Sequence, residues 1–113
     1  MFKISIIDDI RVIESIFPDC DGDTRVAWGQ EETESLGFCV FKTDGEIIRI
    51  DDRKNMIDIL VRAACNSLDL HGVSRAYCRS GELSQRLIAI GFEPCEDGCE
   101  TEIKKFFKHN CRG

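Results

Sequence analysis

Four residues near the end of the chain have the types a metal site needs. Cys95 and Cys99 flank a short turn, and His109 and Cys111 follow in the tail. Thiolates and an imidazole are ligands zinc prefers, and four of them would close a tetrahedral shell. The Cys-x3-Cys spacing is loose for such a site and the His-x-Cys pair is unusual, so the spacing points to no metal. Asp19-Cys20-Asp21-Gly22-Asp23 offers carboxylate oxygens of the kind calcium takes. Its glycine, however, stands inside the acidic triplet, and Gln30 holds the twelfth position where a bidentate Glu belongs. That stretch reads as an exposed acidic turn. His71 falls at the end of a helical pattern, where a charged imidazole favours the helix dipole, a structural use rather than a catalytic one. Ser/His/Asp hydrolysis has no nucleophile elbow to support it.

Composition narrows the remaining classes. With 113 residues the chain is expected to form a single domain over 1–113 with a real core. An apolar fraction of 42% and a charged fraction of 32% exclude a disordered chain. A net charge of −6 argues against nucleic acid or an anionic membrane as a partner, since both need clustered cations. Positive charge gathers only in the tail, at Lys104, Lys105, Lys108, His109 and Arg112, which reads as a solvated strand end. No apolar run approaches the ~20 residues of a membrane span. MFKISIIDDI has acidic residues where a signal peptide would stay apolar, so a cytoplasmic location is expected. Seven cysteines would suggest disulfides in an exported chain. Here Cys39, Cys65 and Cys78 read as small buried apolar residues.

The elements that must position any site follow from periodicity. Phe2 to Ile7 alternates as a strand. Asp9 is placed to cap a short helix carrying Ile10, Val12, Ile13, Ile16 and Phe17, which Pro18 stops. Val26 to Gln30 and Leu36 to Lys42 read as strands joined by a polar turn, Glu31 to Ser35. Thr43-Asp44-Gly45 is a hairpin signal leading into a partner strand, Glu46 to Asp51. Asn55 to His71 is the main helix, with Ile57, Leu60, Val61, Ala64 and Leu68 on one stripe. Asp51 or Asp52 is its expected cap and Gly72 its stop. Val73 to Cys78 reads as a strand and Gly81 to Ile90 as a helix ended by Gly91. Cys95 to Gly98 reads as a turn and Glu100 to Phe107 as a last strand. The class is α/β (α+β), with a mixed, mostly antiparallel sheet flanked by helices in the order β-α-β-β-β-α-β-α-β.

That order, with a meander before the long helix, resembles the GNAT superfamily of N-acetyltransferases. The local text agrees. Leu60-Val61-Arg62-Ala63-Ala64 through Leu70-His71-Gly72 resembles the body and end of the family's central helix. Arg86-Leu87-Ile88-Ala89-Ile90-Gly91-Phe92-Glu93 resembles its closing helix, which commonly ends in Leu-Gly-Phe. The resemblance covers residues 36–107 best, and is closest in kind to small bacterial acetyltransferase-like proteins. It implies acetyl-CoA as cofactor and an amine as acceptor, a small molecule or a protein. The family's pyrophosphate turn is glycine-rich, so that backbone N–H groups at a helix start can approach the phosphates. The matching run here, Asp52-Arg53-Lys54-Asn55-Met56-Ile57-Asp58-Ile59, has no glycine, and Asp52 and Asp58 add negative charge that Arg53 and Lys54 offset only in part.

By the same resemblance, the cofactor edge comprises Ile50, Asp51, Arg53, Lys54, Asn55, Met56 and Ile57, with Ser80 standing where the family has a polar Asn. Leu87 occupies the position of the family's thiolate-protonating Tyr, so Tyr77, the only Tyr in the chain, is the substitute acid. On a strand, its blander role is as a buried aromatic. Glu46 and Asp51 are the candidate bases. The rival expectation is a non-catalytic GNAT-like module that has lost coenzyme A, a homodimer or a subunit of a larger assembly, with Phe106, Phe107 and a strand edge near the C-terminus as its contact surface.

Overall fold

The computed structural model describes residues 2–53 and 55–110. Lys54, Cys111 and Arg112 therefore lie outside the described residues, as does the side chain of His109. The elements are β1 (Phe2–Ile7), α1 (Ile10–Ile16), β2 (Thr24–Glu31), β3 (Glu34–Lys42), β4 (Ile47–Asp52) and α2 (Ile57–Leu70). They continue with β5 (Arg75–Cys78), α3 (Gly81–Ala89), β6 (Glu93–Cys95), β7 (Gly98–Glu102) and α4 (Ile103–Asn110). β1 to β4 form an antiparallel meander, and β5, β7 and β6 form a second antiparallel sheet in that order. The sheets meet at a parallel bridge between Glu46 and Tyr77, where the Tyr77 N–H donates to the Gly45 carbonyl at 2.9 Å.

The core lies under α2. Leu60, Val61, Ala64, Cys65 and Leu68 pack on Ala27, Cys39, Phe41, Ile47 and Ile50 of the meander. The same cluster runs on to Ala76, Cys78, Leu87, Phe92, Ile103 and Phe106. Removing such side chains from water is what drives the two sheets to share one face, at roughly 1.5–3 kcal/mol per fully buried large aliphatic residue. α1 covers the opposite face, setting Ile13 against Val26 and Val40. Asp9 caps α1 as expected, its Oδ1 accepting from the Arg11 N–H at 2.9 Å.

Two stops repeat one geometry. After α2, the Gly72 N–H donates to the Asp69 carbonyl and the Val73 N–H to that of Leu68; after α3, Gly91 and Phe92 do the same to Ile88 and Leu87. These are paired 5→2 and 6→1 closures around a left-handed glycine, at φ +82° and +124°. The Gly-Phe signature is thus a helix stop, with Phe92 folded back onto Leu87 in the core.

Several expectations are corrected. α2 begins at Ile57, after Met56, with no side-chain cap; Asp51 and Asp52 are still in β4. The turn expected at Cys95–Gly98 is present and closes a hairpin in which Cys95 pairs with Gly98, but the residues before it, Glu93–Cys95, form a strand, β6, that was not expected. The expected last strand, Glu100–Phe107, divides at Glu102, and Ile103 onward is helical. The reason is spacing. Ile103, Phe106 and Phe107 recur at three and four, and the core accepts them from a helix: Ile103 and Phe106 are buried and Phe107 packs beside them. Phe106 is therefore core and is not part of an exposed strand edge.

Candidate functional site where β4 and β5 part

The site begins at a glycine. Gly45 has φ +108°, and a Cβ there would collide with the Arg75 carbonyl oxygen. Only glycine lets the start of β4 come against β5. Past Glu46 and Tyr77 the strands separate. β5 ends at Cys78, while β4 continues to Asp52 with the edge opposite β3 left without a strand partner among the described residues. α3 follows at Gly81. Between that edge and the helix start lies a hollow of about 180 Å³, walled by Ile48, Arg49, Ile50, Ser80, Leu83 and Arg86.

A bulge shapes the same edge. Val40 pairs with Arg49 but Phe41 pairs with Ile47, so Ile48 is an extra residue in β4. A bulge leaves such a residue out of the ladder and bends its strand. Here it also lets Ile47 and Ile50 both turn inward beneath α2 and leaves Ile48 and Arg49 exposed.

Tyr77 is half-buried, and its hydroxyl donates to the Asp44 carboxylate at 2.9 Å. The Arg75 and Arg79 guanidinium groups lie 5.9 and 5.4 Å from its ring centroid. Desolvation, the Asp44 hydrogen bond and the charges of Asp44 and Glu46 together raise the Tyr77 pKa, against a smaller opposing effect of Arg79. Glu46 stands beside Tyr77 in the bridge. Asp51 does not join them. It is five residues along β4, about 16 Å away at strand rise.

At the start of α2, Asn55 has φ +59°. Asn is among the few non-glycine residues that enter this left-handed region readily, so the turn into the helix has a backbone shape usually supplied by glycine. The electrostatics differ from those of an anion site. Asp58 occupies the first turn of α2, and its buried Oδ1 has no hydrogen-bond partner. Asp52, whose side chain is only 11% exposed, is ion-paired with Arg86 of α3, joining the far end of β4 to the helix across the hollow. Of the cofactor-edge candidates, Ile50 is in the core, Met56 and Ile57 pack against it, and Arg53 and Asn55 are exposed. Ser80 is the N-cap of α3, its hydroxyl accepting from the Leu83 N–H. Arg86 and Arg49 were not singled out by sequence; their placement depends on partners 34 residues away and on the bulge, respectively.

The second hollow, of about 320 Å³, lies on the other side of Ile48 and Arg49, under the end of α1. Phe17, Val40 and Ile48 line it, together with Lys42, whose Nζ is 2.9 Å from an Asp21 carboxylate oxygen. Asp21 also accepts from the Asp23 N–H and from Thr24, so the acidic loop is closed on itself and on Lys42. The hydrogen bond from Lys42 lowers the Asp21 pKa, and that of Lys42 is raised in return.

The cysteines divide by burial. Cys39, Cys65, Cys78 and Cys99 are buried, and Cys95 is exposed. Burial pushes the Cys65 thiol up to about 12 and raises that of Cys39 as well. Cys95 and Cys99 belong to facing strands of one hairpin, with Cys99 in the core. Among the described residues no three His, Cys, Asp or Glu side chains form a group that could hold a metal.

No family model matches the chain, and no curated protein is significantly similar to it. The structure is similar to the crystal structure of a protein from Desulfovibrio desulfuricans assigned to the GNAT family of acetyltransferases. The TM-score is 0.62, over 91% of this chain and 98% of that one, at 11% identity. The fold is GNAT-like. The mixed α+β layout, antiparallel sheets flanked by helices, agrees with the class expected from sequence. Among the described residues no helix is long and apolar enough to cross a membrane.

Proposed function

We propose that this chain is an acyl-CoA-dependent N-acyltransferase whose donor lies along the open edge of β4. The observation that carries this reading is the parting of β4 from β5 at Glu46–Tyr77. It leaves a strand edge free beside a hollow and a helix start. An extended chain such as the pantetheine arm can add to such an edge through main-chain hydrogen bonds. When bound, the cofactor supplies an acyl group already activated as a thioester. The chain's residues fit that end of it. The bulge at Ile48 frees local backbone, and the neutral Tyr77 hydroxyl is a proton donor held by Asp44. Of the two candidate bases, Glu46 is the one beside Tyr77, and it takes the role of accepting a proton from an incoming amine. Toward the pyrophosphate end, Asn55 gives the turn its left-handed residue, and Arg53 and Arg86 supply positive charge once Arg86 leaves Asp52.

A second reading is favoured by one specific observation. Asp58 has an unpartnered buried carboxylate oxygen at the start of α2, where the pyrophosphate would need N–H donors and no anion. Together with the Asp52–Arg86 pair, it supports a non-catalytic GNAT-like module. One titration separates the two readings. Adding acetyl-CoA to labelled protein should shift the amides of 48–53, Asn55, Ser80 and Arg86, and Asp58→Asn should tighten binding several-fold by removing a like charge. No shift at millimolar acetyl-CoA in either protein would sink the acyltransferase reading in favour of the non-catalytic one.

A further inference from the structure

The hollow under α1 and the groove beside α3 share two walls, Ile48 and Arg49. The first hollow therefore adjoins the bulge, next to the open strand edge. Its chemistry can be read from its lining. Phe17 of the lining meets Phe38, which lies outside it, edge-on at 5.1 Å between centroids. The Arg49 guanidinium lies 5.5 Å from the first ring and 5.8 Å from the second. This stacking holds the planar fork in place without using its N–H donors, which are shaped for a carboxylate. No carboxylate among the described residues pairs with Arg49. The other cation of the wall, Lys42, is already engaged by Asp21. Ile16, Val40 and Ile48 add apolar surface, and Asp19 stands at the rim. At about 320 Å³ the hollow is at the lower end of the range of roughly 300–1,000 Å³ typical of small-molecule sites.

We infer that the hollow beneath α1 binds a small α-amino acid with an apolar side chain, its carboxylate on Arg49 and its side chain against Phe17, Val40 and Ile48. The α-amine, one carbon from the carboxylate, is thereby held at the bulge where the two hollows meet. This rests on the acyltransferase reading for its biological sense, since it names the acceptor class. The binding itself does not depend on that reading. Asp19 and Asp21 line the same hollow and disfavour an acidic side chain, and the apolar wall of Phe17, Val40 and Ile48 favours an uncharged one.

The test is a pair of titrations followed by amide shifts, with no acetyl-CoA present. L-Phenylalanine is expected to shift Phe17, Val40, Ile48 and Arg49. L-Phenylalaninamide, which keeps the ring and amine but lacks the carboxylate, is expected to bind at least fivefold more weakly. Arg49→Gln should weaken phenylalanine at least tenfold and leave the amide nearly unchanged, with Arg49→Lys in between. Equal binding of acid and amide, shifts elsewhere, or no shift at tens of millimolar phenylalanine would overturn the inference. Should Arg49→Gln fail to fold, the acid–amide comparison on the natural chain decides alone. A silent phenylalanine titration alongside a positive acetyl-CoA titration removes only this inference; the reverse outcome removes only the acyltransferase reading.

Discussion

Tyr77 is the residue at which structure and measurable chemistry meet most directly. Its pKa is raised, first by desolvation and then by the hydrogen bond to Asp44. The neutral hydroxyl is therefore the form the fold prefers. The contribution to stability is complete below pH ~10 and is lost as pH rises through the folded-state value. Because the chain has one Tyr, an ultraviolet absorbance titration reads this group alone. The midpoint is expected above 10, and Asp44→Asn should move it down while leaving the part due to burial. A midpoint at or below 10 in the natural chain would mean that the Tyr77–Asp44 bond does not persist in solution. At this scale the sequence was informative about types and poor about partners. The single Tyr and the carboxylates were visible as candidates. That Glu46 stands next to Tyr77 while Asp51 does not follows from where β5 meets β4. Similarly, an Asp52–Arg86 pair bridges two elements whose approach no local pattern encodes. Asn55 shows the opposite limit. The run lacks the family's glycines, and Asn55 enters the left-handed region at modest cost, so the backbone turn is kept while the chemistry around it differs.

At the scale of elements, helix ends were the most legible features, because a cap is decided by one or two local residues. Asp9, Gly72 and Gly91 act as expected. Gly72 permits a clean measurement. A Cβ there would meet nothing within 4 Å, so replacement by Ala introduces no clash and only the left-handed backbone at φ +82° resists it. Gly72→Ala is expected to lower stability by roughly 1–2 kcal/mol. In a urea melt the midpoint should fall without a change in slope. An unchanged midpoint would show that α2 can end in another conformation without penalty. The elements misread were those whose period is short or shared. Thr101 to Phe107 alternates at first and then recurs at three and four, and the strand reading followed the first half. The α2 cap was misplaced because Asp51 and Asp52 are good capping types but belong to β4, which ends at Asp52, well before the helix begins at Ile57.

At the scale of the whole molecule, the two sheets share a core under α2 and α4 but are joined edge to edge at a single point among the described residues, Gly45–Glu46 against Tyr77. This arrangement matters for the proposed chemistry. The groove beside α3 exists because β4 and β5 are held together at one end and apart at the other. A lesion confined to the junction should therefore loosen the site without dissolving either ladder. Gly45→Ala is such a lesion, since its methyl would strike the Arg75 carbonyl and its backbone, at φ +108°, is strained for any L residue. The left-handed strain of roughly 1–2 kcal/mol and loss of a hydrogen bond worth about 1 kcal/mol suggest a destabilisation of some 2–3 kcal/mol. Amide exchange locates the damage. The Tyr77 N–H, which donates to Gly45, should exchange much faster, while Cys39 in β3 and Leu60 in α2 should accelerate only as far as the global loss requires. Uniform acceleration at all three would mean that the parted strands are a passive consequence of the core. Selective acceleration at Tyr77, with acetyl-CoA affinity falling in step, would make the junction the feature that sets the width of the groove.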